Sequence, residues 1–138
     1  MIIKIDHVGV AVKSLENIKQ IMSLIFGLKP DFEEIVTDQQ IKVVGFRVGE
    51  STIEFLEPTS HDSPISKFLE KRGEGLHHLA LGVDNIKDTL SKIKANNIKL
   101  IDEEPRKGAE GKLIAFVHPK SLNGILLELS QESSEPID

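Results

Sequence analysis

The chain contains no cysteine, which excludes a disulfide framework and any thiolate metal site. No apolar run approaches membrane-spanning length, and the opening Met1-Ile2-Ile3-Lys4-Ile5-Asp6 reads as a strand rather than a secretion signal. Positive charge is not in surplus either. Seventeen Lys and Arg against 22 Asp and Glu leave a net charge of −5, which argues against general attraction to nucleic acid or to an anionic membrane. A polyanionic ligand would need a local basic patch. These absences together fit a cytoplasmic protein. The 138 residues suffice for one compact domain and are too few for two ordinary ones. Two half-domains of about 65 to 70 residues sharing a sheet are within reach.

What the chain does contain is a repeat. Ile5-Asp6-His7-Val8-Gly9-Val10-Ala11-Val12 returns in altered form as Leu76-His77-His78-Leu79-Ala80-Leu81-Gly82-Val83. Each half ends on an apolar strand carrying one glutamate, Thr52-Ile53-Glu54-Phe55-Leu56 and then Leu126-Leu127-Glu128-Leu129. The spacing is 47 residues from His7 to Glu54 and 50 from His78 to Glu128. A duplicated fold of this kind can place two His and two Glu around one metal ion.

The first half reads as a strand over Lys4–Val12, a helix after Ser14 that Gly27 stops, and strands at Phe32–Val36, Ile41–Val48 and Thr52–Leu56. The helix carries Leu15, Ile18, Ile21, Met22 and Ile25 at three- and four-residue spacings. Ser63-Pro64 opens a short helix closed by Gly73, the connection between halves over about residues 58–74. The second half repeats the order: a strand at His77–Val83, a helix at about Ile86–Ala95, and strands near Lys99–Asp102, Leu113–Val117 and Ile125–Leu129. The modules span about 1–57 and 75–131, and 132–138 have too little to bury to be ordered.

Period-two arithmetic separates the faces. Val8, Val10 and Val12 oppose His7, Gly9 and Ala11, and Leu79, Leu81 and Val83 oppose His78, Ala80 and Gly82. Each strand thus offers aliphatic groups to a helix-covered core, and a histidine with only small neighbours to the other side, as in a cavity wall. Glu54 and Glu128 likewise oppose the large apolar residues of their strands. Two strand carboxylates near two neutral imidazoles are satisfied by a divalent cation, with His7, Glu54, His78 and Glu128 as ligands. The nitrogen and oxygen donors suit Co, Ni, Mn, Fe or Zn, with open positions for chemistry. A lone strand histidine is usually structural; the repetition singles these two out. His77 lies on the aliphatic face and is structural, and neither His61 nor His118 is assigned to the metal.

Four segments carry a resemblance: IDHVGVAV, GLHHLALGVDNI, GKLIAFVHPKSLNGILLEL and the linker DSPISKFLEKRGEG. Together they make the chain, from about Ile3 to Gln131, similar to the methylmalonyl-CoA epimerases of the vicinal oxygen chelate (glyoxalase-like) superfamily. The resemblance implies an α+β fold: one domain over 1–131 whose two βαβββ modules form a curved, incomplete eight-stranded barrel. It matches His7, His78 and Glu128 to the family's metal ligands, and Glu54 to a position where members carry Gln or Glu. It implies an isomerase that interconverts (R)- and (S)-methylmalonyl-CoA through the proton at C2, with Glu128 as a proton carrier besides being a ligand. A divalent ion would stabilise the enolate that deprotonation forms. A second glutamate base of the family aligns with Val43, which cannot transfer a proton, so Glu33, Glu34, water or another group takes that role. Lys112 and Lys120, with Arg106 and Lys107, are candidates for the CoA phosphates. An acyl-CoA substrate and a homodimer are the expected partners. The alternatives on the same fold are a glyoxalase I-type lactoylglutathione lyase and a non-catalytic small-ligand-binding or resistance protein.

Overall fold

A computed structural model of the chain describes residues 1–132; the segment 133–138, most of the tail expected to be disordered, lies outside the described residues. Eight strands and three α-helices are present among them. The chain divides into two units, His7–His77 and a second made of Met1–Asp6 with the chain from His78 onward.

The first unit receives β1 (Ile2–Ala11) at His7 and continues through α1 (Leu15–Phe26), β2 (Phe32–Val36), β3 (Ile41–Val48), β4 (Ser51–Pro58) and α2 (Pro64–Arg72). Its strand order is β2-β3-β4-β1, with β1 parallel to β4 and the other pairs antiparallel. Ser14 caps α1 by accepting from the Asn17 N–H, and Gly27 ends the helix at φ 63°, a conformation costly to residues with a Cβ. On the α1 side Val12, Leu15, Met22, Val44, Phe46 and Phe55 form the core, with Val10, Ile18 and Ile53 against it. The helical stripe is shorter than its spacing predicts. Ile25 is 67% exposed, with Leu24 and Phe26 beside it in solvent, because the last turn of α1 runs past the core.

The second unit takes up β5 (Gly75–Val83) at His78, followed by α3 (Ile86–Ala95), β6 (Arg106–Lys107), β7 (Leu113–Val117) and β8 (Leu127–Gln131). The order β5-β8-β7-β6 mirrors the first unit, so βαβββ occurs twice, as the sequence predicts. Val83, Ile86, Leu90, Ala115, Val117 and Leu129 make its core.

The strand expected at Lys99–Asp102 does not form. Leu100 makes only an isolated bridge to Val117, and both Ile101 and Asp102 donate to the single carbonyl of Phe116. The Asp102 carboxylate then accepts the Phe116 N–H at 2.9 Å, a side chain taking the ladder bond a strand backbone would have made. Regular pairing resumes after Pro105, at Arg106 opposite Ile114. The last strand also begins later than expected, leaving Ile125 half in solvent.

Candidate metal centre

In the first unit the parallel register of β1 on β4 sets Gly9 opposite Glu54 and His7 opposite Thr52. His7 and Glu54 are therefore diagonal neighbours on one face, and the absence of a side chain at Gly9 leaves room for them to meet. His7 Nδ1 lies 3.2 Å from Glu54 Oε2, and both residues are buried. Gly45 flanks Glu54 from β3, and the Phe32 ring occupies the space where a Cβ at Gly45 would go.

The second unit repeats the construction. Ala80 stands opposite Glu128 in the parallel pairing of β5 and β8, which makes His78 and Glu128 the corresponding diagonal pair. His78 Nε2 is 3.4 Å from Glu128 Oε1, again with both residues buried. Where the first unit has Gly45, the second has Phe116 opposite Glu128, its ring edge-on to His78 with centroids 5.7 Å apart. The Arg106 guanidinium lies 5.7 Å from the centroid of the Phe116 ring, with Nε 3.4 Å from Asp102 Oδ1.

Each unit thus buries one imidazole nitrogen against one carboxylate oxygen. A carboxylate in such a place is unfavourable without a cation or hydrogen-bond donors. The pair separations also suit chelation. Two ligands at adjacent positions of an octahedral ion, each bonded at about 2.1 Å, stand about 3.0 Å apart. The observed 3.2 and 3.4 Å lie close to that value. The donor chemistry therefore fits a divalent ion of the N,O-preferring kind.

Other residues singled out in the sequence are placed as follows. Lys112 Nζ sits 3.2 Å from both oxygens of buried Asp6 and 3.8 Å from Glu110. Lys120 is exposed within a 3₁₀ turn over Pro119–Leu122, its backbone N–H donating to His118 Nδ1. His61 is exposed. His77 packs edge-on to Phe68 of α2 at 4.9 Å, and burial pushes its pKa down to about 4. Val43 is fully buried on β3, between Leu56 of β4 and Glu34 of β2. Two participants were not legible. Alternation groups Asp6 with the core valines and gives no hint of a partner 106 residues away, and nothing in the strand pattern of β7 marks Phe116 as the neighbour of His78.

The chain matches the family model for the Glyoxalase/Bleomycin resistance protein/Dioxygenase superfamily over residues 6–116. It is 39% identical to the mitochondrial methylmalonyl-CoA epimerase of Dictyostelium discoideum, across 94% of this chain and 78% of that protein. It is 37% identical to an uncharacterised Bacillus subtilis protein, YqjC, across 96% of this chain and 94% of the other. Among solved structures, a variant of Streptomyces coelicolor methylmalonyl-CoA epimerase in complex with 2-nitronate-propionyl-CoA superposes with a TM-score of 0.93 at 30% identity, covering 99% of this chain and 100% of that one.

Proposed function

The chain belongs to the methylmalonyl-CoA epimerases of the Glyoxalase/Bleomycin resistance protein/Dioxygenase superfamily, a family of isomerases, and we propose that it interconverts (R)- and (S)-methylmalonyl-CoA by exchanging the proton at C2. The observation that carries this reading is the duplicated buried pair, His7 with Glu54 and His78 with Glu128. We take all four as ligands of one divalent ion.

When bound, that ion would supply positive charge for the oxygens that gain electron density as C2 loses its proton. The protein's own groups do the rest. His7 and His78 can ligate only through unprotonated nitrogen, so metal loading should weaken in acid. Glu128 is the carboxylate that takes or returns a proton at C2. Proton transfer by a positioned side chain contributes about 10² to 10⁴ in rate. Phe116 beside His78, and Phe32 over Gly45 next to Glu54, each give their own pair an apolar neighbour that would limit water there. For the CoA phosphates, Lys120 is the readier cation. Lys112 would have to exchange Asp6 and Glu110 for a phosphate.

A homodimer is part of this reading, supported by the largely exposed Leu24, Ile25 and Phe26 on α1. Sedimentation at micromolar concentration should give twice the chain mass; a single chain there would remove this element. No helix among the described residues is long and apolar enough to cross a membrane.

The decisive assay incubates metal-loaded protein with (S)-methylmalonyl-CoA in deuterated water. C2 deuterium incorporation with appearance of the (R) epimer is expected. No exchange with any of Co, Ni, Mn, Fe or Zn would sink the proposal, and rapid turnover of the methylglyoxal–glutathione adduct would redirect it to the lyase.

A further inference from the structure

Ser130 on β8 is only 2% exposed, and its Oγ has no hydrogen-bond partner among the described residues. A hydroxyl buried in this way is unfavourable until an acceptor or a donor meets it. Ser130 stands opposite Gly82 of β5 and Ile114 of β7, one step beyond the pairing of Ala80 with Glu128, so it shares the face that carries Glu128. There it lines a cavity of about 320 Å³, with Ile3, Lys4, Asp6, Gly82 and Glu132 among its walls, all from the second unit. None of the four candidate metal ligands lines it. We propose that this cavity binds a short-chain carboxylate between Lys4 Nζ and Ser130 Oγ, a site that stands whether or not the epimerase reading holds.

The charges around the cavity pair off and leave one cation loosely held. Buried Asp6 has Lys112 Nζ at 3.2 Å from both of its oxygens, and Asp84 has the Met1 ammonium at 2.9 Å. Lys4 Nζ stands 3.9 Å from Asp6 Oδ1 and 3.5 Å from Glu132 Oε1, at or beyond the range of a hydrogen bond. The Glu132 side chain is 72% exposed and that of Lys4 27%. A carboxylate arriving at Lys4 therefore replaces Glu132, which returns to water at little cost. The ammonium and the Ser130 hydroxyl then donate to its two oxygens, and the orphaned hydroxyl is satisfied.

Shape and charge narrow the ligand class. Gly82 leaves the floor beside Ser130 bare: a Cβ there would stand 3.1 Å from Lys4 Cγ and 3.7 Å from Ile3 Cγ1. Those two side chains lie over the glycine and give a short alkyl group an apolar wall. The flexible four-carbon stem of Lys4 has only to lift from Gly82 for the ligand to reach Oγ. A phosphate dianion suits the cavity less well. It would bring a second negative charge close to Asp6, Asp84 and Glu132, with a single loosely held ammonium to offset it.

The test titrates propionate, and separately inorganic phosphate, into the full chain at constant ionic strength, following backbone amide chemical shifts. Saturable binding of one propionate per chain is expected, with the largest shifts at Gly82 and Ser130. Ser130→Ala and Lys4→Met should each weaken it about tenfold or more, the usual effect of losing one hydrogen bond that involves a charged group. Lys29→Gln, an exposed lysine of the first unit, should bind as wild type does. Ser130→Ala should also melt no lower than wild type, because it removes a hydroxyl that bonds to nothing in the fold. No saturable binding, wild-type affinity in Ser130→Ala or Lys4→Met, or phosphate binding tighter than propionate overturns the proposal. A Ser130→Ala protein that melts well below wild type does so as well, since the hydroxyl would then be serving the fold rather than a ligand.

Discussion

Protonating His77 would set a cation against the edge-on ring of Phe68, a ring that Arg72 already overlies at 5.9 Å. Burial holds the folded-state pKa at about 4, against 6.5 for a free imidazole. The unfolded chain therefore takes up this proton first as pH falls. Stability is unaffected by His77 above about 6.5 and declines between about 6.5 and 4, because the unfolded state binds more protons across that window. Full expression of the shift would be worth about 3 kcal/mol, and partial exposure of the ring reduces that to about 2 kcal/mol. Thermal melts at pH 7 and 4.5 should show wild type losing more stability than His77→Leu; equal losses would dismiss the effect. The neighbouring His78 belongs to the opposite face and to different chemistry. That contrast was readable from strand parity, because only the residue facing away from the aliphatic core can meet Glu128. A second proton carrier was not singled out by the sequence, because Val43 stands where the resemblance puts a glutamate.

At the scale of elements, the two parallel pairings do the positioning. A small residue two places after each histidine, Gly9 or Ala80, stands opposite the glutamate and opens the diagonal contact. Antiparallel β3 then presses Gly45 against the other side of Glu54, with the Phe32 ring in the space a Cβ would need. Gly45→Ala should force that ring aside and cost about 1–3 kcal/mol, the usual penalty for overfilling a packed site. Urea denaturation would measure it; a variant as stable as wild type would mean the ring moves freely and Phe32 is no fixed wall. Strands, helices and caps of this kind were legible because alternation, Ser14, Gly27 and Ser63-Pro64 are local signals. The failure at Lys99–Asp102 has the opposite cause. Its apolar residues look like a strand, but the ladder bond is taken by the Asp102 side chain, and a tertiary substitution of that sort leaves no periodic trace. The exposed end of α1 was missed for a similar reason, since periodicity shows which residues share a face but not how far the covering core extends.

For the whole molecule, duplication allows two arrangements of metal that mutation can tell apart. If each imidazole–carboxylate pair held its own ion, the chain would bind two, and removing one glutamate would leave the other site loaded. A shared ion requires one metal per chain, and Glu54→Ala and Glu128→Ala should each reduce it severely, although the two residues come from different modules. Stability provides a second readout. A ligand bound only by the folded state at a hundred times its dissociation constant adds about 2.7 kcal/mol. For a chain of this length that corresponds to a rise in melting temperature of roughly 8 °C. Wild type should therefore melt lower after chelation and recover with stoichiometric metal. Each single-glutamate variant should be nearly indifferent to both treatments, and His77→Leu should respond as wild type does. Half the wild-type metal content, with half the thermal response, in each glutamate variant would point to two independent sites. The proposed chemistry would then lose its basis, because neither pair alone brings together the four donors on which the reading rests.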